Sequence, residues 1–533
     1  MCGGLVYCVR PVQLTAMGPD EFRRAGHQLV DYIADYQETV RQRPVTPDVR
    51  PGYMRQLVPA TPPERPEPWD DVMADIERVI MPGMSHWHSP QFHAYYPVGN
   101  SYPALLADML SDALGCVGIA WASAPACTEL EVIMMDWLAQ LLQRPEQFIF
   151  SSGRGGGGVI QGSACESTLI TLLAARSCKV NEFLRANGSV RDEHGDPVVT
   201  PDRAALLPRL VAFASDQAHS SVTRASLLSG LRIRTLASDS SASLRGDTLV
   251  RAVEEELHAG NIPFYVLAAL GTTASCAYDN LVELGPICAR FGLWLHIDAA
   301  YAGAACICPE FRGILDGIEH ATSFNFNPHK FLLTNLDCSA LWVKRSRDLT
   351  DVFEVNALFL KTPVSEMPSY RHWAIQLSRR FRALKLWFVM RLYGADGLRT
   401  HIRRQVQLAK EFETLVRADE RFEVAAPVTL GLVCFRLKKY GNMINDHLLA
   451  RINGARRIHM VPAMLPGETY VLRFVVCSRY TESRDVQFAW REVQKHTDEL
   501  LSSAEVLGRA KMLWSSVRAA SIGLRLFHSW HSV

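Results

Sequence analysis

The sequence predicts an α/β protein with a mainly parallel central sheet, helices on both of its faces, and a smaller C-terminal α/β unit. Three observations predict it. The 533 residues exceed one ordinary domain, and 48% hydrophobic content supplies a large core. From Cys165 onward, short apolar runs alternate with segments of helical period, the rhythm of a parallel sheet with crossover helices. One apolar run ends on a carboxylate, Leu293 to Asp298, and another leads to a lysine, Ser323 to Lys330. Ligands of such sheets bind at the C-terminal ends of the strands.

In chain order, residues 1–16 read as a tail, too short and too poor in basic residues before an apolar core to be a signal peptide. Asp20 to Arg43 carries Phe22, Leu29, Tyr32, Ile33 and Tyr36 at helical spacing. Eight prolines between Pro44 and Pro68 then force an extended arm, expected to wrap around a partner subunit. A second helix is expected over Trp69–Ile80. His86 to Pro97 is rich in aromatic residues and holds three histidines, but without a cysteine or carboxylate to complete a metal set it reads as a pocket-lining loop. Long helices are expected over Tyr102–Val117 and Cys127–Arg144. The glycine run 155–158 leads into Val159 to Glu166, which is expected to open a helix, with a Gly/Ser turn at the helix N-terminus.

Strands are expected at Leu210–Ala214, Ile233–Leu236, Pro263–Leu270, Leu293–Ile297, Ser323–Phe326 and Ser339–Val343, with helices at Asp247–Leu257 and Asp279–Phe291. Asn181 to Pro208 is polar and reads as a surface excursion. A helical pair, Leu377–Leu392 and Ala395–Ala418, leads into the small unit. The expected division is thus a helical arm at a dimer interface (17–100), a large domain (101–394), a small C-terminal domain (395–501) and a tail (502–533). The tail mixes basic and apolar residues and is expected to dock or fray.

Charge and cysteines narrow the function classes. Fifty-six basic residues face 55 acidic ones, a net charge of +1 that gives no reason to expect a nucleic-acid or membrane partner. A small-molecule substrate is expected. Thirteen scattered cysteines without C-x-x-C pairing suit a reducing, cytoplasmic compartment, and no apolar run reaches the roughly 18–20 residues of a membrane span.

Residue chemistry points to one cofactor class. Lys330 can form a Schiff base with a carbonyl. Asp298, at a strand end, can hold a pyridine nitrogen protonated and so make the ring an electron sink. The Ser163-Ala-Cys165 turn can offer backbone N–H groups and a helix dipole to a phosphate. The glycines do not have the spacing of a nucleotide-triphosphate loop.

Six collinear motifs then carry a resemblance: Pro125-Ala-Cys-Thr-Glu-Leu-Glu131, Gly157-Gly-Val-Ile-Gln-Gly-Ser-Ala164, Ser215-Asp-Gln-Ala-His-Ser-Ser221, His296-Ile-Asp-Ala-Ala-Tyr-Ala-Gly303, Asn325-Phe-Asn-Pro-His-Lys330 and Tyr370-Arg-His-Trp373. From about Met17 to about Leu500 the chain resembles the group II pyridoxal-phosphate-dependent amino acid decarboxylases, in the branch of the aromatic-L-amino-acid (DOPA) and histidine decarboxylases. The resemblance implies the aspartate aminotransferase-like fold type I, a homodimer and pyridoxal 5'-phosphate. It places the cofactor among Ala164, Cys165, His219, Thr273, Asp298, Ala300, Asn327 and Lys330, with His219 stacked on its ring. It places the substrate near Trp87, Tyr95, Tyr96, Val98, Val117, Ile119, His219, His329 and Ser378. No metal is implied.

The expected reaction releases CO2 and the amine from an aromatic L-amino acid. Departures from the family leave alternatives. Lys344–Tyr370 matches the family's catalytic loop, yet Phe359 stands where a tyrosine normally donates the Cα proton. In related plant enzymes that change accompanies oxidative deamination to an aldehyde, whereas His219 keeps the decarboxylase identity. Val98, Ile119 and Ser378 replace Thr, Phe and Gly, the last as in histidine decarboxylases, and Cys165 replaces the usual serine with a weaker donor. Aldehyde formation, histidine decarboxylation and a catalytically silent paralogue are therefore the alternatives.

Overall fold

The computed structural model describes residues 17–502 apart from 144, 187–200, 355–366 and 477. Seven strands form the large sheet: β1 (Gly157–Gln161), β2 (Leu210–Ser215), β3 (Arg232–Leu236), β4 (Ile262–Ala269), β5 (Trp294–Asp298), β6 (Ser323–Phe326) and β7 (Ser339–Val343). Their order is β1-β7-β6-β5-β4-β2-β3, with β7 antiparallel to both neighbours and the other pairs parallel.

Strand composition explains why both faces are covered. In β2, Val211 and Phe213 join one apolar cluster while Leu210, Ala212 and Ala214 join another. Strands β5 and β7 divide likewise, with Leu295 and Ile297 set against Trp294, and Ala340 and Trp342 against Leu341 and Val343. A strand with apolar side chains on both faces must be buried on both, and crossover helices supply the cover. The second sheet, β8 (Phe422–Val424), β9 (Leu432–Leu437), β10 (Val461–Leu465) and β11 (Thr469–Val475), is antiparallel in the order β10-β11-β9-β8. Its core packs Phe412, Phe435, Phe474 and Trp490 together.

The first strand is where the structure departs most from the sequence reading. Residues 157–161, expected as the end of the glycine run and the opening of a helix, form a fully buried strand. Glycine is normally poor strand material; here close approach requires it. A Cβ on Gly158 would lie 2.5 Å from Met135 Cε and 2.8 Å from Trp342 Cδ1. The helix Pro125–Leu141 and strand β7 therefore press directly on the glycine backbone.

The pair Glu131 and Arg379 locks the same edge, both side chains being 1% exposed. Arg379 donates to both Glu131 oxygens, at 2.6 and 3.0 Å, and to the Ile160 carbonyl at 2.9 Å. Glu131 in turn accepts the Ile160 N–H at 2.8 Å.

Other differences are at element ends. The polar excursion expected over 181–208 is helical at both ends, because Ala164–Ala186 continues into it and Pro201–Leu206 forms a short helix. The helix expected from Leu377 starts at Ala383 and runs to Ala418, with a break at Gly394, whose φ is 63° and ψ 172°. Among the described residues no helix is long and apolar enough to cross a membrane. Phe359 and the tail beyond Ser502 lie outside the described residues.

Candidate active site

Three strand ends and one helix start converge on a cavity of about 200 Å³. Strand β4 pairs with β5 so that Ala269 lies opposite Asp298, and β5 pairs with β6 so that Asp298 lies opposite Asn325. Parallel register thus brings the segments after β4, β5 and β6 out on the same edge, as the fold class requires of a ligand site. Ala164, Cys165, His219, Thr273, Asp298, Ala300, Asn327 and Lys330 all line this one cavity, together with Tyr96, Ser163, Thr272 and Tyr301.

Local sequence sets each group. After β6, Asn327 caps a single helical turn, Pro328–Phe331, and accepts the Lys330 N–H at 3.0 Å. Lys330 Nζ lies 5.6 Å from the centre of the Tyr96 ring. Tyr96 stacks on Tyr301 at 3.8 Å, and Tyr301 on Phe331 at 5.1 Å, so an aromatic pile backs the amine. Burial pushes the Lys330 amine below its ordinary value, opposed by Asp298 and Cys165 and assisted by Arg473. A lysine so placed is more often a neutral nucleophile.

Asp298 accepts from the Ala300 N–H at 3.0 Å and Asn325 Nδ2 at 3.3 Å, both through Oδ1. Among the described residues its Oδ2 accepts no side-chain or backbone donor, so it would be free to meet a cavity ligand. His219 Nδ1 accepts the Ser221 N–H at 3.1 Å, so the neutral ring carries its proton on Nε2. Burial holds His219 below its ordinary value although Asp298 pulls the other way. Ser163 Oγ accepts the Glu166 N–H at 3.2 Å, at the start of the helix Ala164–Ala186, whose first-turn amides have no intrahelical acceptor. Burial raises the Cys165 thiol, keeping it protonated and non-nucleophilic at neutral pH.

The donor set fits a phosphorylated pyridine aldehyde. Lys330 would meet its carbonyl, Asp298 its ring cation, and the helix start its phosphate. Asn327 supplies a structural sign of a missing ligand, because its Oδ1 is buried without a hydrogen-bond partner among the described residues. An unpartnered buried polar atom is costly unless something else fills the position.

Other expected residues stand apart from the cavity. Trp87 and Tyr95 are exposed and stack on each other at 5.2 Å. Val117 and Ser378 are exposed, and Val98 and Ile119 are half-buried. His329 is buried, its Nδ1 accepts the Cys338 N–H at 2.9 Å, and burial drives it down to about 3. Two of the three histidines of the aromatic loop are separately engaged, His86 with Tyr36 at 2.9 Å and His93 with the Val475 carbonyl at 3.1 Å.

Sequence reasoning missed Arg473. It is buried beneath Tyr96, 5.1 Å from the ring centre, and donates to the Ala274 carbonyl at 3.2 Å. A lone arginine inside the apolar run Val471 to Val475 was the available signal.

Comparison with known proteins follows this geometry. Residues 51–438 match the pyridoxal-dependent decarboxylase conserved domain. The chain is 54% identical to the aromatic-L-amino-acid decarboxylase of Mus musculus over 91% of this chain and 98% of that one. It superposes on the tryptophan decarboxylase of Catharanthus roseus with a TM-score of 0.84 at 41% identity, covering 91% and 100% of the two chains. Against the 4-hydroxyphenylacetaldehyde synthase of Rhodiola rosea the values are 0.83 and 36%, covering 92% and 100%.

Proposed function

The chain belongs to the pyridoxal-dependent decarboxylase family, and from that premise we propose how its cavity residues divide the work. The protein is a pyridoxal-phosphate-dependent carboxy-lyase that decarboxylates aromatic L-amino acids. When bound, the cofactor supplies an electron sink for the pair left as the bond between Cα and the carboxylate breaks.

Lys330 would hold the cofactor, its lowered basicity favouring the neutral, nucleophilic amine. Asp298 holds positive charge on the cofactor ring through the oxygen that Ala300 and Asn325 leave available. The first turn of Ala164–Ala186, with Asn327, receives the phosphate. His219 lines the same cavity and carries its proton on Nε2, so it would offer a proton to a substrate held there. Tyr96 and Tyr301 close the wall and exclude water behind Lys330.

The observation that carries this reading is the convergence of Lys330, Asp298 and the helix start on one small cavity. Replacing Lys330 with Ala should abolish both the visible absorption of the lysine-bound cofactor and CO2 release; persistence of the absorption removes Lys330 from its role. Greater identity to the decarboxylases than to the aldehyde synthase supports simple decarboxylation over aldehyde formation.

A homodimer is the second part of the proposal. The helix Tyr102–Leu114 exposes Leu106, Met109, Leu110 and Leu114 along one stripe, with Leu336, Ile375 and Leu377 exposed as well. An apolar surface of this kind suits self-association about a twofold axis. A cytoplasmic location remains part of the proposal, on the 13 scattered cysteines.

A further inference from the structure

Sharing no lining residue with the cofactor cavity, a pocket of about 740 Å³ opens between the segment after the first described helix, the turn at 455–457 and the last described helix, Ser483–Ser502. Its size falls in the range of about 300–1,000 Å³ typical of small-molecule sites. Its chemistry is unusual. Six arginines line it, namely Arg41, Arg43, Arg456, Arg457, Arg484 and Arg491, against a single lining carboxylate, Asp485. No step of the decarboxylation uses them.

That carboxylate is already committed. Asp485 Oδ1 accepts from Arg41 Nε and Gln91 Nε2, both at 3.0 Å, and Oδ2 accepts from Arg41 at 3.0 Å and the Glu482 N–H at 2.9 Å. Arg43 pairs with Glu77, Arg456 with Asp48, Arg457 with Glu492 and Arg484 with Glu482. Arg491 has no ion-pair partner among the described residues. Six guanidinium groups therefore meet five carboxylates. Each guanidinium has five N–H donors, and Arg456, Arg457 and Arg484 each spend only part of that fork on their acid.

Arg484, Phe488 and Arg491 repeat at helical spacing and line the pocket from one face of the last helix. Arg457 lies 4.8 Å over the Phe488 ring, which holds its planar fork at the wall. The turn bearing Arg456 and Arg457 is fixed in turn, because the Val45 N–H donates to the Arg456 carbonyl at 3.1 Å.

We propose that this pocket binds a small organic or inorganic anion carrying several phosphate groups. Clustered arginine forks match phosphate oxygens in geometry and charge. The net charge of +1 offers no extended basic face for nucleic acid or lipid, so the concave pocket, not the whole surface, concentrates the potential. The chain's own tail is no substitute occupant: beyond Ser502 it carries Arg509, Lys511, Arg518 and Arg525 against one acid, Glu505.

The test titrates inorganic triphosphate into the holoenzyme, whose cofactor site is already filled, by calorimetry at about 0.15 M salt, where exposed charges are largely screened. One saturable equivalent per chain is expected, with orthophosphate weaker by about tenfold or more because it engages fewer forks. The double variant R484E/R491E should weaken triphosphate by about tenfold or more while decarboxylation is unchanged, since both side chains are exposed and neither borders the cofactor. No saturable binding, undiminished binding by the double variant, or equal affinity for orthophosphate would each overturn the proposal.

Discussion

Replacing Arg379 with Met removes one half of an ion pair that is sealed from water. The guanidinium makes three hydrogen bonds, two to Glu131 and one to the Ile160 carbonyl, and lies 4.9 Å over the Tyr370 ring. Without it Glu131 keeps its bond to the Ile160 N–H but loses its charge partner in a setting 1% exposed. Breaking a buried pair on one side costs about 3–5 kcal/mol, whereas replacing both partners with neutral groups often costs far less. R379M should therefore lower the unfolding free energy from urea titration by that amount, and E131Q/R379M should recover part of it. The loss should also reach function: the pair clamps β1, and β1 runs through Gly162 directly into Ser163, Ala164 and Cys165 at the cavity. Cofactor affinity, measured by titrating the visible absorption, should fall along with stability. A shift in R379M below about 1 kcal/mol, within the range of ordinary surface substitutions, would refute the clamp.

Asp298→Asn should retain attached cofactor but lower kcat by about 10²-fold or more, the scale of losing one aligned electrostatic group; near-native turnover would remove the carboxylate from its role. Acid should destabilise the fold through buried neutral histidines. Burial holds His93 and His296 at about 4 and His329 at about 3, against 6.5 when free. The unfolded chain then takes up protons that the native chain refuses, so stability falls as pH drops from 6.5 toward 4. Each such histidine contributes about 1.4 kcal/mol per pH unit in that window, and a flat unfolding profile there would contradict it. Introducing charge into the exposed stripe with L106E/L110E should halve the mass seen by light scattering, and an unchanged dimer would place the interface elsewhere.

Strands β2, β4, β5 and β7 were legible as short, largely apolar runs between turn signals, and β3 and β6 as short alternations of apolar and polar residues. Strand β1 was not, since its glycines carry no strand propensity and are required only by Met135 and Trp342, which pack on them from distant parts of the chain. The Glu131 and Arg379 clamp was hidden for the same reason: its partners are 248 residues apart. Lys330, Asp298 and the Ser163–Cys165 turn were legible from local residue chemistry at a strand end or helix start, whereas His219, Thr273, Ala300 and Asn327 were legible only through the family resemblance. Arg473 was legible only as an oddity in an apolar strand. Trp87, Tyr95, Val117 and Ser378 came from resemblance, and a single chain leaves them on its surface.

The most direct test quantifies CO2, amine and peroxide together from L-DOPA, 5-hydroxytryptophan, tyrosine, tryptophan and histidine, for the holoenzyme and for Lys330→Ala. The account predicts one amine per CO2 from an aromatic substrate, negligible peroxide, and no turnover by the variant. Stoichiometric peroxide with little amine, turnover confined to histidine, or CO2 release that survives loss of Lys330 would contradict it.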